Sequence, residues 1–140
     1  RVGADYRRMG WVIDDQYQKK AMDWMAKHIS NPRFFVFADD IDWVKRHFKT
    51  GHDVTFVDLG SENPNRIYFD LELIKNCKHD IVVNSTYSWW GAWLNENPEK
   101  IVIAPSPWFI DPESCRKFNS TDEDALPDEW IKLNIAGDGR

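Results

Sequence analysis

Ile81-Val82-Val83-Asn84-Ser85-Thr86-Tyr87-Ser88-Trp89-Trp90-Gly91-Ala92-Trp93-Leu94 is the stretch whose reading decides the fold. It opens as a β-branched apolar run of the kind a buried strand uses and crosses a polar turn, Asn84 to Ser88. From Trp89 to Leu94 it reads as a short helix that Asn95 and Pro98 end. A further strand, Ile101-Val102-Ile103-Ala104, follows and is cut by Pro105 and Pro107.

The same alternation extends upstream. Tyr17, Ala21, Trp24, Met25, His28 and Ile29 recur at helical intervals from Asp15 to Ile29, and Asn31-Pro32 closes that helix. Phe34-Phe35-Val36-Phe37-Ala38 is a continuous apolar run that suits a strand buried on both faces. Asp39-Asp40 stops it. Ile41, Val44 and Phe48 then mark a helix ending at Thr50-Gly51, and Val54-Thr55-Phe56-Val57 a second strand. The turn formers Gly60 to Asn65 lead into a helix carrying Ile67, Leu71, Ile74 and Cys77, with Lys75 and Lys78 near its C-terminal end. Strands alternating with helices imply right-handed βαβ units, and the fold class expected is α/β, a Rossmann-like parallel sheet with helices on both faces. From Asp111 to Glu129 the periodicity fails, so that segment is expected to wrap the surface until Trp130-Ile131 pins it back. One domain over residues 1–134 and a frayed end over residues 135–140 are expected.

Composition narrows the function. Lysine plus arginine number 18 against 23 aspartates and glutamates, a net charge of −5 that disfavours wrapping a polyanion such as DNA. Cys77 and Cys115 make neither a disulfide framework nor a zinc spacing, and both are expected to be reduced. No apolar run approaches the roughly 20 residues of a bilayer span, and Arg1 to Gly10 lack a signal-peptide core, so the chain reads as cytoplasmic and soluble. The eight tryptophans speak for burial more than for activity.

In an open parallel sheet, ligands bind beyond the carboxyl ends of the strands. After the third strand, the hydroxyls of Ser85, Thr86 and Ser88 lie at a helix N-terminus, where unpaired N–H groups and the positive dipole end attract an anion. Ser85 or Ser88 acting only as a helix cap is the competing reading. Gly91 would let the short helix pack closely on the sheet. Asp39-Asp40 after the first strand could take a metal, a base edge or sugar hydroxyls, or merely cap the next helix. Asp70, on a helix lined by Ile67, Phe69, Leu71 and Ile74, is read as facing solvent rather than the binding edge. The histidines and cysteines form no ligand spacing, so no metal is assigned.

Cys77 to Leu94, followed by Asn97-Pro98-Glu99-Lys100-Ile101-Val102-Ile103-Ala104-Pro105 and Trp108, resembles the signature of the glycosyltransferase family 11 α-1,2-fucosyltransferases of bacteria. Phe34 to Val44 resembles a second family block, and Tyr17 to Ala21 and Tyr68 to Leu71 two more. The resemblance runs from about Tyr17 to Trp108, with a weaker echo at Asp128-Glu129-Trp130. It implies one lobe of a two-lobed, GT-B-like inverting transferase that moves L-fucose from GDP-fucose to the 2-hydroxyl of a galactose-containing glycan. It implies no obligatory metal or other cofactor and leaves room for peripheral association with the inner face of the membrane. Of the family's His-x-Arg-Arg-x-Asp-Tyr block, only an end is present in Arg1-Val2-Gly3-Ala4-Asp5-Tyr6. Carried over by position, the resemblance puts Arg1, Ser85, Thr86 and Ser88 at the donor phosphates. Asp5, Asp39, Asp40, Asp70, Asn84 and Trp89 would line the nucleotide-sugar pocket, with Asp70 toward the guanine edge. It leaves the catalytic base unassigned. One alternative is a non-catalytic or truncated GDP-sugar-binding lobe. A receiver-like signalling domain fits less well: no lysine precedes Pro105, and Asp58 follows Asp39 too closely.

Overall fold

Tyr17, Ala21 and Met25 fall four residues apart on helix α1 (Asp15–His28) and are buried together, so the stripe read from the sequence is the face the helix packs. The computed structural model describes residues 15–109, residues 113 and 116, and residues 121–135. Asn31 takes a left-handed φ of 52°, a conformation its short polar side chain tolerates, and turns the chain into β1 (Phe34–Val36). Next come α2 (Ile41–His47), β2 (Val54–Phe56), α3 (Arg66–Lys75), β3 (Asp80–Ile81) and α4 (Thr86–Trp93). The order closes with β4 (Val102–Ser106), α5 (Asp122–Ala125) and β5 (Ile131–Asn134).

Every strand pairing is parallel, as the strand–helix alternation requires, but the hydrogen bonds fall into two ladders, β1–β2 and β3–β4–β5, rather than one sheet. The three-stranded sheet carries packed elements on both faces. On one side Tyr17, Ala21 and Met25 of α1 meet Ile103, with Ile81, Val83, Ile131 and Leu133 around them; Phe34 of β1 joins this cluster. On the other, Val82, Val102 and Ala104 pack against Ala92, Trp108, Leu126 and Trp130. The buried Tyr17 hydroxyl is 2.7 Å from the Val82 carbonyl and 3.1 Å from that of Ile103, so one phenolic proton is shared between β4 and the end of β3.

Three boundaries differ from the sequence reading. The short helix begins at Thr86, so Thr86, Tyr87 and Ser88 form its first turn. β4 runs through Pro105 to Ser106. The Ile103 carbonyl accepts from Val82 N, so the backbone groups of odd β4 positions point toward β3; the acceptor that a donor at Pro105 would meet is the Val82 carbonyl, which takes the Tyr17 hydroxyl instead. The tail also does more than pin itself back: Ile131, Leu133 and Ile135 alternate with polar residues, and β5 pairs with β4 from Ile103↔Ile131 to Ser106↔Asn134.

At the entry edge of the sheet, Lys100 Nζ donates to the carbonyls of Ala92 (2.8 Å), Trp93 (3.3 Å) and Asn95 (2.6 Å), satisfying the C-terminal end of α4. Asn95 Nδ2 donates to Asp80 Oδ2 and to the Cys77 carbonyl, both at 2.8 Å. Burial pushes the Asp80 carboxyl from 3.8 up to about 6, against the Asn95 hydrogen bond and the Lys100 charge, which favour ionisation. Cys77, the free thiol among the described residues, is half-buried beside this network, and burial followed by the Asp80 charge pushes it up as well.

Two outcomes follow. A Cβ on Gly91 would stand 2.5 Å from Ile74 Cγ2 and 3.2 Å from Ile74 Cβ, so Gly91→Ala should destabilise by about 1 kcal/mol, overpacking outweighing the gain in helix propensity. In an Ile74→Ala background, which removes Cγ2 and leaves only the 3.2 Å contact with Cβ, urea unfolding should show most of that penalty lost. Asp80 binds its proton more tightly folded than unfolded, so its contribution is present in full below its ordinary value of 3.8 and is lost as pH rises through about 6. The stability gap between Asp80→Asn and wild type should therefore open between those two values, toward about 3 kcal/mol at most, and stay flat at higher pH.

Candidate functional site

The carboxyl ends of β1, β2 and β3 gather the polar residues singled out above. At the exit of β1, Asp40 is the N-cap of α2: its Oδ1 accepts from Trp43 N at 2.9 Å. Asp39, beside it, is exposed, and its backbone carbonyl accepts from Arg66 Nη2 at 3.1 Å. At the exit of β2, Asp58 Oδ2 meets Lys45 Nζ at 2.8 Å while Oδ1 accepts from Gly60 N at 3.1 Å. Those two bonds, the lysine first, hold Asp58 below the usual carboxylate range. Gly60 takes a φ of 80°, which explains a glycine at this turn.

Asp70 overturns the solvent-facing reading. It is 8% exposed, with Oδ2 3.5 Å from Arg66 Nε one helical turn earlier, and its buried Oδ1 has no hydrogen-bond partner. Of the stripe read from the sequence, Leu71 and Ile74 pack against Gly91 of α4, whereas Ile67 is exposed together with Tyr68, Phe69 and Leu73, so hydrophobic periodicity gives only part of the inner face of this helix and misses Asp70 on it. Burial raises the Asp70 carboxyl and the Arg66 charge opposes it, with Asp39 adding a smaller upward push. Arg66 also donates through Nη2 to the Ala38 carbonyl and thereby ties α3 to the end of β1.

The third exit holds the turn into α4. Ser85 is its N-cap with extended φ and ψ of −128° and 126°, yet its side chain makes no capping bond. Ser88 closes the turn instead: Val83 N donates to its Oγ at 3.3 Å, and that hydroxyl lies 3.1 Å from the Val83 carbonyl and 3.0 Å from the Ser85 carbonyl. Thr86 is exposed and Asn84 half-buried. Tyr87 reaches back to α3, where its hydroxyl donates to the Ile67 carbonyl. Burial, then the charges of Asp70 and Asp39, push its phenol up to about 12, so it keeps its proton at neutral pH.

The structure thus brings Asp39, Asp70, Tyr87 and Arg66 into mutual electrostatic reach next to the first turn of α4, with Asp40 adjacent in sequence to Asp39. It does not bring Trp89 there. That ring stacks on Trp93 at 5.1 Å and 13°, leans on Trp130, and donates its indole N–H to the Ala125 carbonyl at 2.7 Å. Arg1 and Asp5 lie outside the described residues. Sequence reasoning missed Arg66, although its spacing of four from Asp70 on a helix was a usable signal, and missed the contact Tyr87 makes with α3. Among the described residues no group of three or more His, Cys, Asp or Glu is placed to hold a metal ion. Nor is any helix among them long and apolar enough to cross a membrane.

A family model described as glycosyl transferase family 11 matches residues 4–134, nearly the whole chain. The chain belongs to that family. It is 33% identical over 126 residues to an α-1,2-colitosyltransferase of Escherichia coli, covering 87% of this chain and 40% of that protein. It is 36% identical over 122 residues to the O-antigen biosynthesis glycosyltransferase WbnK of Escherichia coli, covering 87% and 37%. With galactoside α-(1,2)-fucosyltransferase 1 of Homo sapiens it shares 30% identity over 129 residues, covering 91% and 34%. The chain therefore spans well under half the length of these relatives. No solved structure matches it.

The geometry separates the two serines. Ser88→Ala removes the group that closes the β3–α4 turn and should cost about 1–2 kcal/mol in urea unfolding, whereas Ser85→Ala should fall within about 0.5 kcal/mol of wild type.

Proposed function

We propose that this chain is the donor-binding part of an inverting α-1,2-glycosyltransferase that takes a GDP-linked 6-deoxyhexose, GDP-fucose in the first instance, and glycosylates the 2-hydroxyl of a galactose-containing glycan. Family membership and the α-1,2 linkage in the names of two of the relatives support the reaction class. The observation that carries the placement is the start of α4, where the N-cap Ser85 leaves the first-turn N–H groups without a side-chain cap. Those donors sit at the carboxyl edge of a parallel sheet, the place where a diphosphate is held in open α/β folds. In this reading the domain is Rossmann-like and forms one lobe of a two-lobed enzyme.

Each residue has a distinct task. The N–H groups of Thr86 and Tyr87, with the Ser85 and Thr86 hydroxyls, take the diphosphate oxygens. Ser88 keeps the turn in shape. Asp39 and Asp40 face the ribose and sugar hydroxyls, and Asp70 the base side of the pocket. During transfer the acceptor O2 forms a bond to the anomeric carbon from the face opposite the diphosphate. The bond from that carbon to the diphosphate oxygen breaks, GDP leaves with the electron pair, and the acceptor proton passes to a base. N–H donors fixed before the reaction stabilise the charge that grows on the leaving diphosphate, with no metal required of these residues.

Calorimetric titration with GDP tests the reading. Saturable binding is expected, weakened about tenfold or more in the Ser85→Ala/Thr86→Ala variant, as loss of hydrogen bonds to a charged ligand requires. Absence of GDP binding to the folded wild-type chain at millimolar concentration would overturn it.

A further inference from the structure

Arg66 is absent from the set of residues that the sequence pattern marks, yet its side chain joins two segments of the candidate site, and a third docks on the residue next to it. Nη2 donates to the carbonyls of Ala38 and Asp39, where β1 ends. Nε stands 3.5 Å from Asp70 Oδ2, and both side chains are largely buried, at 20% and 11% exposure. One residue along α3, the Ile67 carbonyl receives the Tyr87 hydroxyl from the first turn of α4. The other carboxylates of this edge have partners of their own. Asp58 has Lys45 and Gly60 N, and Asp40 has Trp43 N. Asp70 has Arg66, and its second oxygen is buried with nothing bound.

An anion approaching the start of α4 meets a field set by these carboxylates. Where a guanidinium compensates Asp70, the buried charge is balanced within its own helix. Where it does not, an uncompensated carboxylate stands against the incoming phosphates at low dielectric. The same guanidinium fixes the backbone of the β1 exit, on which Asp39 and Asp40 ride. We propose that Arg66 is a positioning residue of the donor site: it fastens the β1 exit to α3 and neutralises Asp70, so that a nucleoside diphosphate can settle on the first turn of α4. This rests on the donor-site reading given above and deepens it.

The test compares GDP with guanosine, which carries no phosphate, on the full chain and on Arg66→Met and Arg66→Lys, with thermal melts alongside. The expected result is a loss of about tenfold or more in GDP affinity for Arg66→Met with a clearly smaller loss for guanosine, and partial recovery of GDP affinity in Arg66→Lys, which keeps the charge without the planar fork that joins the β1 carbonyls to Asp70. Unchanged GDP affinity in a folded Arg66→Met overturns the inference and leaves the donor-site reading standing. So does an equal loss for GDP and guanosine, which marks general collapse of the edge. If Arg66→Met does not fold, Arg66→Lys decides: an intermediate GDP affinity supports the proposal and wild-type affinity overturns it. Failure of the wild type to bind GDP removes the donor-site reading and this proposal with it.

Discussion

The close approach of α3 and α4 at Gly91 is the constraint from which the arrangement of the site follows. A Cβ at that position would overlap Ile74 Cγ2 at 2.5 Å, so only glycine lets the two helices lie at this separation. Glycine inside a helix costs about 1 kcal/mol relative to alanine, and the cost is met here by packing Leu71 and Ile74 against α4. Because the helices are this close, the Tyr87 hydroxyl reaches the Ile67 carbonyl and the first turn of α4 sits beside Asp70. Arg66 then extends the connection to Ala38 and Asp39. The exits of β1 and β3, which belong to separate ladders, are coupled through α3, by the Arg66 side chain on one side and the Ile67 carbonyl on the other, rather than through strand hydrogen bonds.

Much of this architecture was legible in the sequence because burial imposes a period. Tyr17, Ala21 and Met25 announce α1, and the apolar runs at Phe34, Val54, Ile81 and Ile101 announce four strands, each found to within a few residues. The elements that escaped have identifiable reasons. β5 shows only Ile131, Leu133 and Ile135 in alternation, too short a signal after a polar segment with no period. Pro105 looked like a strand breaker because the direction of a missing N–H depends on register, which a single sequence does not reveal. α3 deceived for a different reason. It has apolar side chains around most of its circumference, so its pattern cannot say that Asp70 faces inward while Tyr68 is 75% exposed. The candidate site was legible only as a place in the fold, the carboxyl edge carrying Ser85 to Ser88 and Asp39-Asp40, because strand order puts the strand-to-helix turns there. The division of labour within it was not. That Ser88 closes the turn while Ser85 leaves its cap unmade depends on side-chain rotamers, and the roles of Arg66 and Tyr87 depend on contacts 20 to 28 residues away in the chain.

The two ends of α4 are treated in opposite ways, and the difference bears on what the helix is for. At its C-terminal end, Lys100 gathers three carbonyls, and Asn95 links the adjacent turn to the buried Asp80 and to Cys77. The negative end of the helix dipole is thereby met by a fixed cation, which a helix of eight residues needs if it is to hold its last turn. At its N-terminal end no side chain takes the equivalent place for the donors: Ser85 makes no capping bond, and Ser88 spends its hydroxyl inside the turn. The carboxylates nearby are also kept from serving as that cap. Asp70 is held by Arg66, Asp58 by Lys45, and Asp40 caps a different helix. A helix meant only to fill space would gain about 1 kcal/mol from an ordinary N-cap, and the serine needed for one is already in position. Leaving that end without a side-chain cap while Lys100 holds the other is the arrangement in which an incoming anion would supply the missing acceptors, and it is the ground on which the proposed donor site at the first turn of α4 rests.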